Sequence, residues 1–553
     1  MLSSRLKSPL VLLLLLGALA SLPGLGWAPL LDWDEAMQAE VARQILLRGD
    51  PFTPMANGQP FTEKPALFFL ETAAFFRALG VSETAARLPS AVNGLAFLAG
   101  LYWLGRRLVD ARFACAAAAM YATALLPLVL SRAAVLEHTF NVLMGAAALL
   151  LLAYDTEYGA ARDAGGPRRR YWALLLGAAL ALGLAVLTKG PVGGAIPLVA
   201  YGSAKLARRR PRIHPGHFLV CGAVALAVAG SWYVGNFLAA GGGFVREFAV
   251  FMGLLFSRPL EGHGGPFYYH VAVGLVGFFP WTPLLLLYAL PAVRRAVWAQ
   301  PNTRALAALA LGWTGFVLVV FSLVQTKLPH YSSSMYLPLA LLAALAARAA
   351  LAAGGLPAWL RVVFGAYGAA LGALLAALPY ASATLAAQAG VVLEHPPVPS
   401  PWAFLPGAAL AVGTVAAAIL ARRESAGRAL VAAALACALF AVGLWRFQLP
   451  LIAQYNQGPE IALMEEAYAQ GGDLALYRHA SYAVLFYGHK DVEVLHNYKF
   501  KGDPAWLDRM GERPRFVITP VQEEGRLLAE HPGLRRVRQT GPMVLYRQAP
   551  AGR

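Results

Sequence analysis

The sequence predicts a polytopic α-helical membrane protein with a small α/β domain at its carboxyl end. Three observations carry this. Hydrophobic residues make up 58% of the 553 and charged residues only 14%, with a mean hydropathy of +0.55. A soluble chain of this length needs far more polar surface. Apolar runs close to the roughly 20 residues that span a bilayer recur along the first four-fifths of the chain. Beyond residue 448 the runs shorten and begin to alternate.

Taken in order, the apolar runs predict about thirteen spans: 9–31, 87–105, 112–130, 134–153, 171–187, 190–207, 217–239, 267–290, 304–324, 331–349, 358–380, 402–421 and 427–447. Arg5/Lys7 precede the first, whose length and lack of a small-x-small site favour a retained helix over a cleaved signal. Basic residues cluster in alternate loops: Arg5/Lys7, Arg106/Arg107, Arg168–Arg170, Lys205/Arg208–Arg210/Arg212, Arg294/Arg295 and Arg422/Arg423. The formal charge of +17 therefore reads as cytoplasmic loops, with the amino terminus inside and the carboxyl terminus outside. Nucleic acid is not expected as a partner; membrane lipids are. Cys115, Cys221 and Cys437 lie unpaired in apolar runs and read as packing residues.

Two long loops fall on the outer side, 32–86 and 240–266. In 35–48, apolar Ala36, Ala39, Val41, Ala42, Ile45 and Leu46 interleave with Glu40, Arg43, Gln44 and Arg48. This predicts an amphipathic helix lying on the membrane face, with a second interfacial helix after Pro65. Loop 240–266 combines a helix-like part with the glycine run Gly262, Gly264 and Gly265. The predicted domains are a membrane domain over 1–447, including both loops, and an extracytoplasmic α/β domain over 448–553. In the latter, 474–477, 483–487, 492–495, 515–518 and 543–546 read as strands, and 459–470 and 504–511 as helices.

Charges near membrane depth are functional candidates because hydrocarbon penalises them by several kcal/mol. On the outer side they are Asp34, Glu35, Glu63, Lys64, Arg132, Glu137, Lys189, Glu261, His263, Lys327 and His330. Asp34 and Glu63 form a carboxylate pair suited to general-base work, cation binding or holding a hydroxyl; Asp34 alternatively caps helix 35–48. Glu35 and Glu40 read as surface residues. Lys64, Arg132, Lys189 and Lys327 are isolated cations that match a need to hold phosphate, or that snorkel towards headgroups. Thr188-Lys189-Gly190-Pro191 and Lys327-Leu328-Pro329-His330-Tyr331 carry prolines that aim the cation at a cavity. Glu137, with His138 beside it, is either structural or functional. His263 with Glu63 or Asp34 is a candidate pair for a divalent metal ion.

Several ordered motifs resemble the polyprenyl-phosphate-sugar-dependent membrane glycosyltransferases of the GT-C type. They are Asp34-Glu35…Ala39-Glu40 with Gly49-Asp50, Glu63-Lys64-Pro65, Ala134-Val135-Leu136-Glu137, Thr188-Lys189-Gly190, His263…Pro266-Phe267-Tyr268-Tyr269, Pro280-Trp281 and Lys327-Leu328-Pro329-x-Tyr331. Within the protein-mannosyltransferase-like superfamily, the set is most similar to the bacterial aminoarabinose (Ara4N) lipid A transferases. Met37 and Gln38 stand where those enzymes carry Arg and Tyr, and Glu137 where Asp is more usual.

The resemblance implies a GT-C fold with outer juxtamembrane helices and a carboxyl-terminal periplasmic domain. It implies transfer of 4-amino-4-deoxy-L-arabinose from undecaprenyl phosphate to lipid A or another glycan acceptor at the outer face of the inner membrane, by a monomer. Asp34 would be the principal catalytic acid, with Glu63 and Lys64 at the active site. Lys189, Lys327 and Tyr331 would correspond to positions near the lipid-linked donor, and the charges of Arg132 and Glu137 are expected to bind substrate or lipid phosphate there as well. Another polyprenyl-phosphate-dependent hexosyl-, pentosyl- or protein mannosyl-type transferase is the alternative within the enzymes. A transporter of the lipid-linked sugar is the alternative outside them, although repeated halves are not evident.

Overall fold

The computed structural model describes residues 8–164, 167–208, 214–388, 396–497, 499–509 and 513–548. Arg5, Lys7, Arg209, Arg210 and Arg212 fall outside these, as do the side chains of Glu261 and Arg423.

Each predicted span overlaps a helix, although the first is helical only over Pro9–Ser21 and 267–290 is broken in two. Eight helices among the described residues are long and apolar enough to cross a membrane, from Glu83–Leu108 to the run Ala426–Tyr455. The number rises to ten when each of two bent pairs counts as one span. The helices Ala111–Thr123 and Leu125–Arg132 meet at 66°, and Tyr269–Gly277 meets the 3₁₀ segment Thr282–Ala289 at 106°. The two breaks support each other: the Leu125 amide, freed by the bend, donates to the Phe279 carbonyl at 2.9 Å. Irregular backbone is tolerated at such depth only when its polar groups are paired in this way. Arg107 pairs with Glu157, while Lys205 and Arg208 pair with Asp155. Two of the predicted cytoplasmic clusters therefore gather at one end of the bundle, around the carboxylates of Asp155 and Glu157.

The loop 32–86 folds into a π-helical turn over Asp32–Ala36, the helix Met37–Arg48, a two-stranded hairpin of β1 (Met55–Ala56) and β2 (Gln59–Pro60), and the helix Leu67–Leu79. The second helix lies where expected. The first corrects its expectation. It does not lie on a lipid surface, because every residue from Met37 to Arg43 is buried. Glu40 is fully buried, held by Arg43 at 2.7 and 2.8 Å and by Gln44 at 2.8 Å.

What covers this helix is the carboxyl-terminal part of the chain. There β3 (Asp473–Tyr477), β4 (Glu493–Leu495), β5 (Arg515–Pro520), β6 (Leu534–Thr540) and β7 (Met543–Gln548) form one sheet in the order β4-β3-β5-β7-β6. The first three strands are parallel and the last two antiparallel. One face shares a hydrophobic core with the loop: Ala36, Ala39, Phe69 and Phe76 pack with Leu463, Tyr482, Leu485, Phe486 and Ile518. The opposite face carries its own cluster around Tyr477, Leu527 and Tyr546.

Two secondary-structure expectations need correction. Residues 483–487 are not a strand but lie in the helix Tyr482–Gly488, whose N-cap Ser481 accepts the Val484 amide. The run has no alternation because it is buried on all sides, which periodicity alone does not separate from a buried strand. The predicted helix 504–511 shortens to a 3₁₀ turn at Pro504–Trp506, and residues 510–511 fall outside the described residues. The strand β6 escaped detection because its central residues are exposed arginines and valine on a sheet edge. The predicted domain boundary at 447/448 falls inside a helical run that continues through a π-turn at Leu444–Gln448 to Tyr455.

Candidate functional site

The π-turn Asp32–Ala36 places three carboxylates in three environments. Its wider winding bonds both the Glu35 and Ala36 amides to the Leu31 carbonyl, at 3.0 and 2.8 Å. Single π-turns of this kind recur at functional sites. Glu35, expected on the surface, points inward and is buried. It takes two hydrogen bonds from Arg87, at 2.7 and 2.6 Å, and further ones from the Leu31 and Ala134 amides at 3.1 and 2.8 Å. Arg87 spends its remaining donors on the carbonyls of Leu25, Ala28 and Pro29. Glu35 thus ties the turn to two transmembrane segments.

Asp32 points towards the carboxyl-terminal sheet. It accepts the Ala483 amide at 2.6 Å and lies beside Ser481, His479 and Glu460. Burial first, and then the neighbouring Glu460, push its carboxyl up to about 7. His479 bonds Glu460 at 2.9 Å, and that carboxylate raises the imidazole against its own burial.

Asp34 lies between these two anchored neighbours with its side chain open to solvent inside a recess. Desolvation by the surrounding protein raises its carboxyl above the ordinary range, and the charges that act on it are His330, Glu137, Glu35 and Lys64. Those residues define the site. Glu137, in the first turn of the helix Leu136–Ala164, forms a buried ion pair with Lys189 at 2.9 Å, and His330 Nε2 is 3.8 Å from the same oxygen. Lys189 closes the last turn of the helix Arg168–Lys189, where a cation also suits the helix dipole. Gly190 follows with φ +79°, a conformation that turns the chain sharply into Pro191. The Lys189 ammonium also stands 5.0 Å over the Tyr331 ring and 5.7 Å over Phe140. The site residues Glu137, Lys189 and Tyr331 therefore come together.

Lys64 joins them from the loop. It is buried, its ammonium lies 5.3 Å over Phe251, and no carboxylate pairs with it directly among the described residues. Burial, reinforced by the repulsion of Lys189, lowers its pKa. Glu63, next to it, faces the carboxyl-terminal part and pairs with Lys499 at 2.9 Å. Lys499 in turn stands 4.4 Å over Trp33 and 5.2 Å over Tyr482.

Two predicted phosphate ligands are placed elsewhere. Arg132 is buried against Trp445, 4.6 Å from its ring, and donates to the carbonyls of Ala20 and Pro23 at the end of the first helix. The Lys327 ammonium caps the helix Pro301–Leu323 and its exit, donating to the Phe321, Ser322 and Val324 carbonyls at 3.2, 2.9 and 2.6 Å. Both satisfy backbone acceptors that helix ends leave open. His263 and Glu63, expected together at a metal ion, have separate surroundings. His263 is exposed, Glu63 is taken by Lys499, and no three His, Cys, Asp or Glu side chains converge among the described residues.

Sequence reasoning missed Arg87, Asp32, His479, Glu460 and Lys499. Arg87 carried a signal, since it stands at the outer edge of an apolar run, and Asp32 lies in the same acidic stretch as Asp34. Nothing local marks Lys499.

Residues 11–214 match the profile of the dolichyl-phosphate-mannose-protein mannosyltransferase family. The undecaprenyl phosphate-alpha-4-amino-4-deoxy-L-arabinose arabinosyl transferase of Edwardsiella ictaluri is 29% identical over 339 residues, 61% of this chain and 58% of that one. Its namesake in Pseudomonas paraeruginosa is 31% identical over 323 residues, 57% and 54% of the two chains. The chain thus spans less than two-thirds of the length of the curated relatives it matches. The fold is that of ArnT from Cupriavidus metallidurans bound to undecaprenyl phosphate, with a TM-score of 0.74 at 19% identity over 98% of this chain and 99% of that one. The Archaeoglobus fulgidus oligosaccharyltransferase shares it more distantly, with a TM-score of 0.51 at 14% identity over 94% and 70%. The chain therefore has the GT-C fold.

Proposed function

We propose that this GT-C chain is a glycosyltransferase that moves 4-amino-4-deoxy-L-arabinose from undecaprenyl phosphate to lipid A, modifying lipopolysaccharide. It works as a multi-pass protein of the bacterial inner membrane, amino terminus in the cytoplasm, with the Asp34 recess and the domain 448–553 on the periplasmic side of the membrane domain 1–447. The names of the sequence relatives supply the sugar and its carrier. The observation that carries the reaction class is the recess itself. One solvent-open carboxylate, Asp34, faces the unpaired cation Lys64 and the ion pair Glu137–Lys189.

In the reaction the acceptor oxygen forms a bond to the anomeric carbon as the bond from that carbon to the phosphate oxygen breaks. The electron pair leaves with the phosphate, and displacement from the opposite side inverts the centre. Lys64 and Lys189 are placed to stabilise the charge that grows on the leaving group, an effect strongest in a site screened from bulk water. When the acceptor is a phosphate oxyanion no proton is removed, and Asp34 orients the sugar through its hydroxyl and amino groups. When the acceptor is a hydroxyl, Asp34 takes its proton, and its raised pKa brings it nearer the range useful to a base at neutral pH.

The test is lipid A mass spectrometry from cells with wild-type protein, with Asp34→Asn, and without the gene. Wild-type cells should carry the aminoarabinose mass, and Asp34→Asn should lower transfer while the protein accumulates normally, by about 10²–10⁴-fold where the acceptor is a hydroxyl that Asp34 deprotonates. Wild-type transfer by Asp34→Asn would overturn the role of Asp34. A different sugar mass, or a mass lost from another glycan, would assign the chain to another polyprenyl-phosphate-dependent transfer.

A further inference from the structure

We propose that a polar cleft between the β1–β2 hairpin and the carboxyl-terminal sheet is a binding site for an amino-sugar phosphate, the head-group unit of a glycolipid acceptor. The proposal rests on the reading that the chain glycosylates a lipid, and it adds a site whose lining shares no residue with the Asp34 recess. The cleft encloses about 310 Å³, at the small end of the range of ligand pockets.

Its walls are fixed. The Asn57 side chain bonds the backbone of Val492 in both directions, at 2.9 and 2.8 Å, and Gln59 does the same with Lys501, at 3.1 and 3.3 Å. These reciprocal amide contacts lock the hairpin against the chain on either side of β4. Asn57 adopts φ +50° and Gly58 φ +69° to make the turn, a pairing typical of tight hairpins.

Within these walls the charges are unspent. Lys501 and Asp491 have exposed side chains with no hydrogen bond or ion pair of their own among the described residues. Lys490 has only the face of Tyr468, 4.7 Å away, and Asp473 only a loose 3.8 Å approach from Arg513. Other exposed charges of the carboxyl-terminal part behave differently: Arg538 of β6 pairs with Glu466, Arg536 of β6 with Glu524, and Arg526 with Glu523. Cations and carboxylates left free side by side suit a ligand that bears both signs. The two ammonium groups match a phosphate, and the carboxylates match an ammonium and hydroxyls. Tyr468 and Trp506 complete the lining; each ring has a cation over it, Lys490 at 4.7 Å and Arg515 at 4.7 Å, and a sugar would meet the ring surface these leave. The hairpin ends at Pro60, three residues before Glu63.

The experiment titrates the purified full-length protein with glucosamine 6-phosphate, with glucose and inorganic phosphate as controls. The lipid-linked donor is left out, so binding is read without turnover. Saturable binding of glucosamine 6-phosphate is expected, at least about tenfold tighter than either control. Removing a charge-assisted bond costs about a factor of ten or more. Lys490→Ala/Lys501→Ala should therefore weaken binding by at least that factor, and Lys490→Arg/Lys501→Arg should restore most of it. In a transfer assay the alanine pair should raise the acceptor KM while leaving kcat and donor affinity unchanged. Absence of saturable binding, equal binding of inorganic phosphate, or undiminished binding by the alanine pair would each overturn the site. Binding without any sugar transfer would instead overturn the reading on which it rests and leave the site standing.

Discussion

Lys64 and Lys189 share one recess but should respond in opposite ways to loss of charge. Lys189 is matched by Glu137 at 2.9 Å, with side chains only 12% and 6% exposed. Lys189→Met strands that carboxylate in a buried setting, and removing one member of a buried pair costs about 3–5 kcal/mol. Lys64 has no such partner among the described residues; its cation is held by the fold at a cost, as its lowered pKa records. Lys64→Met removes that cost and adds apolar contact with Phe251, so the protein should be as stable as wild type or more so. The same change should weaken the donor. A charge-assisted bond to a phosphate is worth about 1.5–3 kcal/mol, which is roughly 10- to 150-fold in affinity. Thermal unfolding in detergent, followed by tryptophan emission, measures the first effect, and competition binding with undecaprenyl phosphate measures the second. If Lys64→Met unfolds as early as Lys189→Met, or binds the lipid phosphate like wild type, the division of labour between the two cations is wrong.

Other outcomes follow from the same structure. Arg87→Ala leaves the Glu35 carboxylate buried and several carbonyls unpaired, and should destabilise the protein by about 3–5 kcal/mol, seen as loss of folded protein in size-exclusion chromatography. A Cβ on Gly372 would stand 2.6 Å from the Ala411 nitrogen, and one on Gly407 2.2 Å from the Ala376 nitrogen. Gly372→Ala and Gly407→Ala should therefore each force Ala358–Gln388 and Leu405–Leu420 apart at a cost of about 1–3 kcal/mol, measurable as an earlier melt. The joint around Asp32 should depend on pH. Asp32 titrates near 7 in the fold against 3.8 for a free carboxyl, and His479 is raised as well. The folded chain thus holds protons that the unfolded chain has released, so the joint is strongest at acid pH and weakens as pH rises through about 7. Hydrogen exchange at the Ala483 amide, corrected for its intrinsic rate, should be faster relative to the rest of the sheet at pH 8 than at pH 5.5. Asp32→Asn should flatten this difference.

The legible part of the chain was what hydrocarbon dictates. Spans follow from apolar length, and the recess follows from Asp34, Glu137 and Lys189, whose charges stand out at membrane depth. What local sequence does not distinguish is an unpaired cation from one spent on carbonyls. Lys64 and Lys327 look alike as isolated lysines beside a proline, yet one faces a recess and the other caps a helix. Glu35 and Glu40 were misjudged for a related reason. A polar face on a helix is read as facing water, whereas here a second layer of protein covers it. For Glu40 the partners were within reach in sequence, since Arg43 and Gln44 stand three and four residues on, a spacing that supports side-chain pairing on a helix. The contribution of Lys499 needs the fold, because it lies far along the chain from the residues it touches.

That separation bears on the order of events as the chain is made. Asp32 receives its backbone donor from Ala483, 451 positions later, and Leu30 meets Tyr487 across 457. Until those residues emerge, the π-turn has its membrane anchors through Glu35 but no lid, and Glu63 has no cation. Loop closure over such distances is slow compared with local helix formation. The membrane helices can therefore be assembled and seated before the recess is complete, and competence arrives with the last fifth of the chain. Truncation before residue 483 should yield a protein that inserts and yet never closes its site.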